Sequence, residues 1–369
     1  MRRVLHILTD DKFGKFVYQE FSQPKDVINH YLCISDNTTL TYIDFPYEHH
    51  WNGMKDSLEQ LIVEINTYDT VVIHFLNKNA LNILSQIDPE IKVVWIGWGG
   101  DYYWLIDTLP KFNLYTRQTS RYINAKNSYL IKKIKKISRI SKLKALQRIN
   151  YFSPVLKSEY DMIKLNYPNF KPKYIEWNYG NLQDNYIKGY EDFQLKGKNL
   201  LIGNSATPTN NHLDIFEKLN STNSLGNFDK IFLPLSYGNK QYKEFIITQA
   251  NFSLGTKANI ISDFLPYEDY MKILQTCDNV IMGHIRQQAM GNIITLLYLG
   301  AKIYFPEESV VYKHLINKGY HVFTIDKISN EELTNNTLDP KIIRNQRELL
   351  MKEWGKGINN LNTQNICNL

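Results

Sequence analysis

Short apolar runs alternate with longer segments of helical periodicity along most of the chain, and this alternation limits the folds that it can adopt. In the first half, four runs have the length of buried strands: Val4–Leu8, Val27–Ile34, Val71–Leu76 and Val93–Gly97. Residues 54–66 and 80–87 repeat apolar side chains at helical spacing between these runs. Strands separated by helices of this length pair in parallel through right-handed crossovers. The first half is therefore predicted to be a doubly wound α/β sheet.

The same alternation begins again near residue 199. Strand-like runs lie at 199–202, 230–235, 259–261, 279–282 and 301–305, with helix-like segments between them. Because 369 residues are too many for one hydrophobic core of ordinary size, we expect two domains. One is predicted over residues 1–185, a second over 196–345, and a C-terminal helix or tail over 346–369. The aperiodic polar stretch 178–197 is predicted to link the two domains.

Positive charge is concentrated in one segment of the chain. The formal net charge is +6, but residues 108–158 contain 13 Lys and Arg and no Asp or Glu, which leaves +6 minus 13, or −7, on the rest. Such a basic segment favours an anionic partner, which could be a phospholipid surface, a nucleic acid or a phosphorylated substrate.

The middle of the basic segment, residues 130–149, is locally amphipathic, which favours a helix on an anionic membrane surface. The alternative is a solvated surface helix docked on its own domain. For the membrane interpretation, the predicted contacts are Lys132, Lys133, Lys135, Lys136 and Arg139. No apolar run reaches the length of a membrane-spanning helix, and the first residues do not form a signal peptide. We therefore expect a peripheral protein at the cytoplasmic face of a membrane, and three scattered cysteines agree with a reducing compartment.

Nucleic acid is not the expected partner, because the basic segment lacks the interleaved aromatic residues of a single-strand platform. A non-catalytic protein that binds nucleic acid or another anionic surface remains the alternative function.

Two strand-to-helix turns in the second half have the composition of anion sites. One is NLLIGNSATPTNNH at 199–212, and the other contains Arg286, Gln287 and Gln288 ahead of a predicted helix. Backbone amides are unpaired at a helix N-terminus, and the helix dipole favours negative charge there. Arg286 could hold a diphosphate with two hydrogen bonds, and the two glutamines could bind a sugar or base. The alternative is an ordinary turn, since Asn, Ser and Thr commonly cap helices.

Ligands of doubly wound sheets bind beyond the carboxyl ends of the strands, and this rule indicates further candidates in the first half. His6 lies in the first strand, His74 near the end of the third, and Trp98, Gly99 and Asp101 after the fourth. Either histidine could instead be a core residue. Asp101 follows two glycines and could act as a base, as an acceptor of sugar hydroxyls or as a helix N-cap.

Several common phosphate and metal motifs are absent from the sequence. It has no GxxxxGK[ST] and no GxGxxG, and no DxD lies in a metal-binding context. We therefore expect a site without a metal or other cofactor, in which arginine and helix dipoles neutralise a leaving diphosphate.

Five runs together resemble a known family. They are WGGDYY at 98–103, GNSATPTNNH at 203–212, PLSY at 234–237, LPYEDYMKILQTCD at 265–278 and RQQAMG at 286–291. They look like the bacterial TDP-N-acetylfucosamine:lipid II N-acetylfucosaminyltransferases, the 4-alpha-L-fucosyltransferase family or glycosyltransferase family 56. The resemblance covers most of the second half and scattered points of the first, including His6 and His74. The chain departs from the family at Ala289, where the family tends to have Gly, and in a shorter loop after Tyr237.

The resemblance implies a GT-B fold, in which two Rossmann-like doubly wound domains face a central cleft. The first domain would bind the acceptor and the second the nucleotide sugar. The implied activity is metal-independent transfer of a fucose-like or amino-deoxy sugar from a nucleotide diphosphate donor to a polyprenyl-diphosphate-linked saccharide in surface polysaccharide assembly.

The resemblance also implies roles for individual residues. The donor-binding set is Gly203, Asn204, Ser205, Asn210, His212, Tyr237, Gln287, Gln288 and Gly291. The acceptor-binding set is Trp98, Gly99 and His74. The catalytic set is Arg286, which would hold the diphosphate, with Asp101 or His6 taking the proton of the acceptor hydroxyl.

Overall fold

A computed structural model describes residues 1–9, 13–35, 40, 43–51, 57–109, 112–126, 142–193, 195–334 and 338–369. The chain forms two compact units. Unit 1 comprises Met1–Phe112, Ser128–Asn181 and Gly355–Leu369, and unit 2 comprises Asn113–Asn127 and Leu182–Trp354.

Unit 1 is built on a seven-stranded parallel sheet. Its strands are β1 Arg2–Leu8, β2 Val27–Ile34, β3 His49–Trp51, β4 Thr70–His74, β5 Lys92–Ile96, β6 Tyr151–Ser153 and β7 Lys173–Tyr174. Their spatial order is β3-β2-β1-β4-β5-β6-β7, so the direction of winding reverses between β1 and β4. The central strands are apolar along their length because helices cover both faces of such a sheet, and Val71, Val72 and Ile73 of β4 are completely buried.

Unit 2 repeats this plan with a six-stranded parallel sheet in the order β10-β9-β8-β11-β12-β13. Its strands are β8 Asn199–Ile202, β9 Ile231–Pro234, β10 Ala258–Ile261, β11 Cys277–Ile281, β12 Lys302–Phe305 and β13 Phe323–Thr324. Here the winding reverses between β8 and β11, which pair directly. The predicted doubly wound α/β class is confirmed in both halves.

The helices are described in chain order. They are α1 Gly14–Phe21, α2 Leu58–Ile65, α3 Lys78–Leu84, α4 Arg117–Lys126, α5 Lys157–Asn166, α6 His212–Ser221, α7 Lys240–Leu254, α8 Tyr267–Leu274, α9 Met290–Leu299, α10 Val310–Asn317, α11 Asn330–Thr334, α12 Pro340–Trp354 and α13 Lys356–Cys367. In four of them the side chain of the N-cap residue accepts a hydrogen bond from a backbone amide of the first turn. These N-cap residues are Ser57, Asn77, Asn239 and Ser309.

The two units differ from the predicted boundaries in two places. Residues 113–126, expected in the first domain, contact unit 2, where the Asp214 carboxylate caps α4 and Tyr122 stacks on Phe245 at 4.5 Å. Helix α13, expected in a separate tail, packs on unit 1, where Thr363 accepts a hydrogen bond from the Trp177 indole. Both segments return to a unit far from them in sequence because specific side chains hold them there.

The predicted membrane contacts at residues 132–139 lie outside the described residues. Across the residues that the structure does describe, no helix has both the length and the hydropathy needed to cross a membrane.

Candidate functional site

Two loops of unit 2 lie side by side where the winding of its sheet reverses. The loop after β8 spans residues 203–211, and the loop after β11 spans 282–289. Both follow the carboxyl ends of adjacent parallel strands, which is where doubly wound sheets bind their ligands. We call them the first and second loops of the unit 2 site.

Gln288 of the second loop joins the two loops. Its side-chain nitrogen donates to Asn204 Oδ1 at 2.7 Å and to Thr207 Oγ1 at 3.2 Å. Its side-chain oxygen accepts from Thr209 Oγ1 at 2.8 Å and from Arg286 Nε at 3.2 Å. A buried amide with partners on both sides makes the polar groups of the two loops one preorganised cluster.

Asn210 folds the first loop back on itself. Its side-chain nitrogen donates to the Ser205 carbonyl at 2.8 Å and lies 3.1 Å from both Ser205 Oγ and Thr207 Oγ1. A third loop joins through Asn204, whose side-chain nitrogen donates to the Tyr237 hydroxyl at 2.6 Å. The predicted residues Asn204, Ser205, Asn210, Tyr237 and Gln288 thus lie in one cluster.

Helix α9 begins beside this cluster and has an open N-terminus. Ala289 is its N-cap residue, adopts a left-handed conformation with φ of 60°, and provides no side-chain cap. The amides of the first turn, which includes Gly291, therefore lack the side-chain acceptor that caps many helices. Arg286 lies three residues before the cap and Gln287 two, so positive charge and amides without a side-chain cap occur together.

His212 and Gly203 pack against the first loop. Gly203 has φ of +64°, and a Cβ there would lie 3.0 Å from Asn210 Oδ1 and 3.1 Å from His212 Nε2. Burial lowers the pKa of His212 to about 3, and its Nδ1 lies 3.2 Å from the Tyr242 hydroxyl. His212 is therefore a neutral buried side chain that packs under the loop.

Several residues that shape the site were not predicted from the sequence. His284 is completely buried, burial lowers its pKa to about 3, and its Nδ1 donates to the Arg286 carbonyl at 3.0 Å. It therefore holds the backbone of the second loop at Arg286. In the sequence, its position between a predicted strand and Arg286 could have indicated a role in the second loop. The other missed residues of this cluster are Thr207, Thr209 and Asn211.

In unit 1, Asp101 connects the loops after β4 and β5. Its Oδ2 accepts from the Leu76 amide at 3.0 Å and the Trp95 indole at 2.8 Å, and Oδ1 accepts from the Trp98 amide at 2.9 Å. The side chain is 6% exposed, and burial raises its pKa. This carboxylate organises both loops. Its role as a base stays a prediction.

His6 and His74 form a buried chain of hydrogen bonds. Asn29 donates its amide nitrogen to the Phe21 carbonyl at 2.7 Å, so Asn29 Oδ1 accepts from His6 Nε2 at 3.0 Å. Neutral His6 then accepts at Nδ1 from His74 Nε2 at 3.1 Å, and His74 Nδ1 accepts from the Tyr179 hydroxyl at 2.8 Å. Both ring nitrogens of each histidine therefore have a hydrogen-bond partner.

Burial keeps this chain neutral. It lowers the pKa of His6 to about 4 and that of His74 well below its usual value, the latter with a smaller contribution from the neighbouring imidazole. His6 is completely buried and His74 is 1% exposed, whereas Tyr179 at the end of the chain is half-buried. Tyr179 was not predicted, because only the fold brings it to His74.

Trp98 lies in an aromatic cluster at the same edge of unit 1. Its ring centroid is 4.5 Å from Phe13, 5.1 Å from Phe75 and 5.3 Å from Tyr179. Gly99 next to it has φ of +97°, a conformation that glycine adopts without a steric cost. The predicted acceptor residues are therefore close to one another in unit 1.

Metal ligands were also sought. Within the described ranges, no group of three or more His, Cys, Asp or Glu side chains is arranged to hold a metal ion. That the reaction needs no metal stays a prediction.

We expect Gly283→Ala to disturb the contact between the two loops of unit 2. A Cβ at Gly283 would collide with the Asn210 carbonyl oxygen and lie 2.8 Å from Ile215 Cδ1. Overpacking of this kind costs about 1–3 kcal/mol, so the free energy of unfolding measured in urea should fall by that amount. Gly226→Ala is the matched control, since a Cβ there meets nothing within 4 Å. Equal stability of the two variants would contradict the packing argument.

Comparison with known proteins identifies a related family. Residues 178–352, just under half of the chain, match the family model of 4-alpha-L-fucosyltransferases, glycosyl transferase group 56. The matched segment includes all three loops of the unit 2 cluster. The predicted family resemblance is thus confirmed, and with it the prediction of a glycosyltransferase that uses a nucleotide sugar.

Solved structures extend the comparison to the whole chain. A sucrose-phosphate synthase from Thermosynechococcus elongatus matches with a TM-score of 0.64 at 9% identity. The matched region covers 100% of this chain and 98% of the synthase chain. A glycosyltransferase from Rickettsia africae gives 0.62 at 12% identity, with coverage of 100% and 98%. An alpha-glucosyltransferase in complex with UDP gives 0.59 at 10% identity, with 100% of both chains covered. These likenesses confirm the GT-B fold.

Proposed function

We propose that this GT-B glycosyltransferase moves a fucose-like or amino-deoxy sugar from a nucleotide diphosphate to a polyprenyl-diphosphate-linked saccharide. The reaction would serve the assembly of bacterial surface polysaccharide. The observation that carries the donor half of the proposal is the cluster around Gln288, which places Arg286 next to the uncapped start of α9. The family match supports a fucose-like sugar. The lipid-linked acceptor is what the sequence resemblance implies.

In the proposed mechanism, the diphosphate of the donor lies at the N-terminus of α9. Negative charge grows on the diphosphate as the bond to the sugar breaks. The Arg286 guanidinium and the helix dipole neutralise that charge, and they do so without reorganisation because the Gln288 cluster already holds the loops. Positive charge from these groups is the reason that the proposal requires no metal ion.

The acceptor is proposed to bind to the loop of unit 1 that carries Trp98 and Gly99, beside the end of β4 at His74. Its hydroxyl must lose a proton as it attacks the sugar. Both ring nitrogens of His6 are occupied and its side chain is fully buried, so His6 offers no free acceptor. Asp101 is a buried carboxylate after β5, and its raised pKa makes it a stronger base than a solvated carboxylate. We therefore retain Asp101 as the proposed base.

The proposed place of action is the cytoplasmic face of the inner membrane, to which the basic segment 108–158 would attach the protein. The positive charge of this segment and its lack of acidic residues support attachment to an anionic membrane surface. A polyprenyl diphosphate is itself held in the membrane, so such attachment would bring the enzyme to its acceptor.

The donor half is tested by thermal unfolding with TDP, UDP, GDP, ADP and inorganic phosphate. A ligand at about 100 times its Kd stabilises the native state by about 2.7 kcal/mol, so at least one nucleoside diphosphate should raise the melting temperature while phosphate alone should not. If none of them shifts unfolding and none binds in calorimetry, the proposal fails.

The acceptor half is tested with labelled nucleotide sugar and a polyprenyl-diphosphate saccharide. Label should move into the lipid phase. Release of free sugar at the same rate with and without the lipid would instead indicate donor hydrolysis.

A further inference from the structure

We propose that residues 113–126 form part of the donor site of unit 2, and that Asn211 is the positioning residue that couples them to it. We call this segment the strap. The inference rests on the proposed function and deepens it, since it states what controls the affinity of the proposed nucleotide site.

Asn211 lies between the strap and both loops of the unit 2 site. Its side-chain oxygen accepts from the Thr116 amide at 3.0 Å. Its side-chain nitrogen faces three carbonyls: Gly283 at 2.7 Å, and Leu114 and Thr209 at 3.3 Å. One buried amide therefore bonds to the strap, to the first loop and to the second loop.

The backbone of Asn211 is also specialised. It has φ of 52°, in the left-handed region that asparagine tolerates better than most residues. This conformation ends the first loop and starts α6, and Asn210 of the Gln288 cluster is the preceding residue. A change in the position of Asn211 is thus passed directly to the loop that carries the proposed ligand contacts.

A second contact locks the strap in place. The Asp214 carboxylate accepts from the Gln118 amide at 2.7 Å, the Thr119 amide at 3.0 Å and the Thr119 hydroxyl at 2.8 Å. A carboxylate from α6 thereby caps α4, whose own first turn has no acidic residue. Thr119 is completely buried, so these bonds are shielded from water.

The consequence is a coupling between strap docking and nucleotide binding. When the strap leaves α6, Asn211 loses the Leu114 and Thr116 contacts that hold its side chain against Gly283. The two loops then lose the constraint that keeps them in register, and nucleotide affinity falls. By linkage, bound nucleotide stabilises the docked strap by the same factor. Both ends of the strap continue along the chain into segments of unit 1.

The first test uses the unaltered protein. Hydrogen exchange of the strap amides is measured with and without TDP or UDP, whichever binds. We expect slower exchange in residues 113–126 with nucleotide present, an effect that a purely structural role would not produce. Unchanged strap exchange at saturating nucleotide would overturn the inference.

The second test uses two variants that release the strap in different ways. Asn211→Gly keeps the positive φ and removes the side-chain bonds, and Asp214→Asn removes the capping charge without touching either loop. For both we expect the nucleotide Kd to rise about tenfold or more, corresponding to at least about 1.4 kcal/mol. Because Asp214→Asn leaves the loops intact, it keeps the test valid even if Asn211→Gly folds poorly.

Glu217→Gln is the matched control. Glu217 lies on the same helix and contacts the strap only through exposed side chains, an ion pair with Arg117 and a hydrogen bond from Gln118 Nε2. The substitution removes the charge of a pair whose side chains are 66% and 48% exposed, so the Kd should not change. Faster strap exchange in Asp214→Asn with an unaltered Kd would overturn the inference and leave the proposed function standing. Failure of the wild type to bind any nucleoside diphosphate would overturn both.

Discussion

Arg286→Ala lowers the rate of sugar transfer by about 10²- to 10³-fold, the usual loss when one preorganised group that stabilises developing charge is removed. Arg286 stands beside the uncapped start of α9, and its Nε donates to Gln288 at 3.2 Å. Its guanidinium is half-buried, so its removal creates no large cavity, and the melting temperature should change little. The measurements are kcat with donor and lipid acceptor, and thermal unfolding of the same samples.

Two further variants sharpen this prediction. Arg286→Lys keeps the charge but loses the planar fork of donors, so it should recover only part of the rate. Arg344→Ala removes an exposed arginine of α12, away from the two loops of unit 2, and should transfer sugar at the wild-type rate. If Arg286→Ala and Arg344→Ala turn over alike, Arg286 has no part in the reaction.

The free energy of unfolding falls by about 9 kcal/mol between pH 6.5 and pH 4, because three fully buried histidines resist protonation in the native state. Burial lowers the pKa of His6 to about 4 and those of His212 and His284 to about 3. In the unfolded chain each titrates near 6.5, so below that pH only the unfolded state gains the protons. Each histidine then removes about 3 kcal/mol of stability by pH 4.

Asp101 acts in the opposite direction. Its pKa is raised in the folded protein, so its contribution to stability is largest below 3.8 and is lost as the pH rises through its folded value. One such carboxyl offsets only part of the histidine effect. Urea unfolding at pH 8, 6.5, 5.5 and 4.5 measures the sum. The His284→Gln variant should lose less unfolding free energy than the wild type between pH 6.5 and pH 4.5. The His321→Gln variant, changed at an exposed position, should lose as much as the wild type. Equal stability at pH 6.5 and 4.5 would contradict the assignment.

The strands of both sheets were predictable because a parallel strand covered on both faces is a continuous apolar run. The predicted run 27–34 coincides with β2, and the predicted 93–97 differs from β5 by one residue at each end. Strands β3, β6 and β13 were not predicted. They are only two or three residues long, and the β3 sequence HHW has no apolar run.

The donor cluster was partly predictable for a related reason. Polar residues directly after adjacent parallel strands must meet at one edge of the sheet, so Asn204, Ser205 and Gln288 could be grouped before the fold was known. The same reasoning could not decide whether His6 and His74 contact a ligand, since strand position does not say whether a polar side chain finds a buried partner. The answer depended on Asn29 and Tyr179, which lie 23 and 105 residues away along the chain.

Local pattern by itself determined the two α/β units, the loops that close them and the residue types offered at their edges, because periodicity and strand-end polarity are properties of neighbouring residues. Only the tertiary structure decided that residues 113–126 dock on α6, that α13 returns to unit 1, and that Asn211 joins three chain segments. Those contacts join residues about 70 to 190 positions apart, and their energies come from buried hydrogen bonds that no local pattern records.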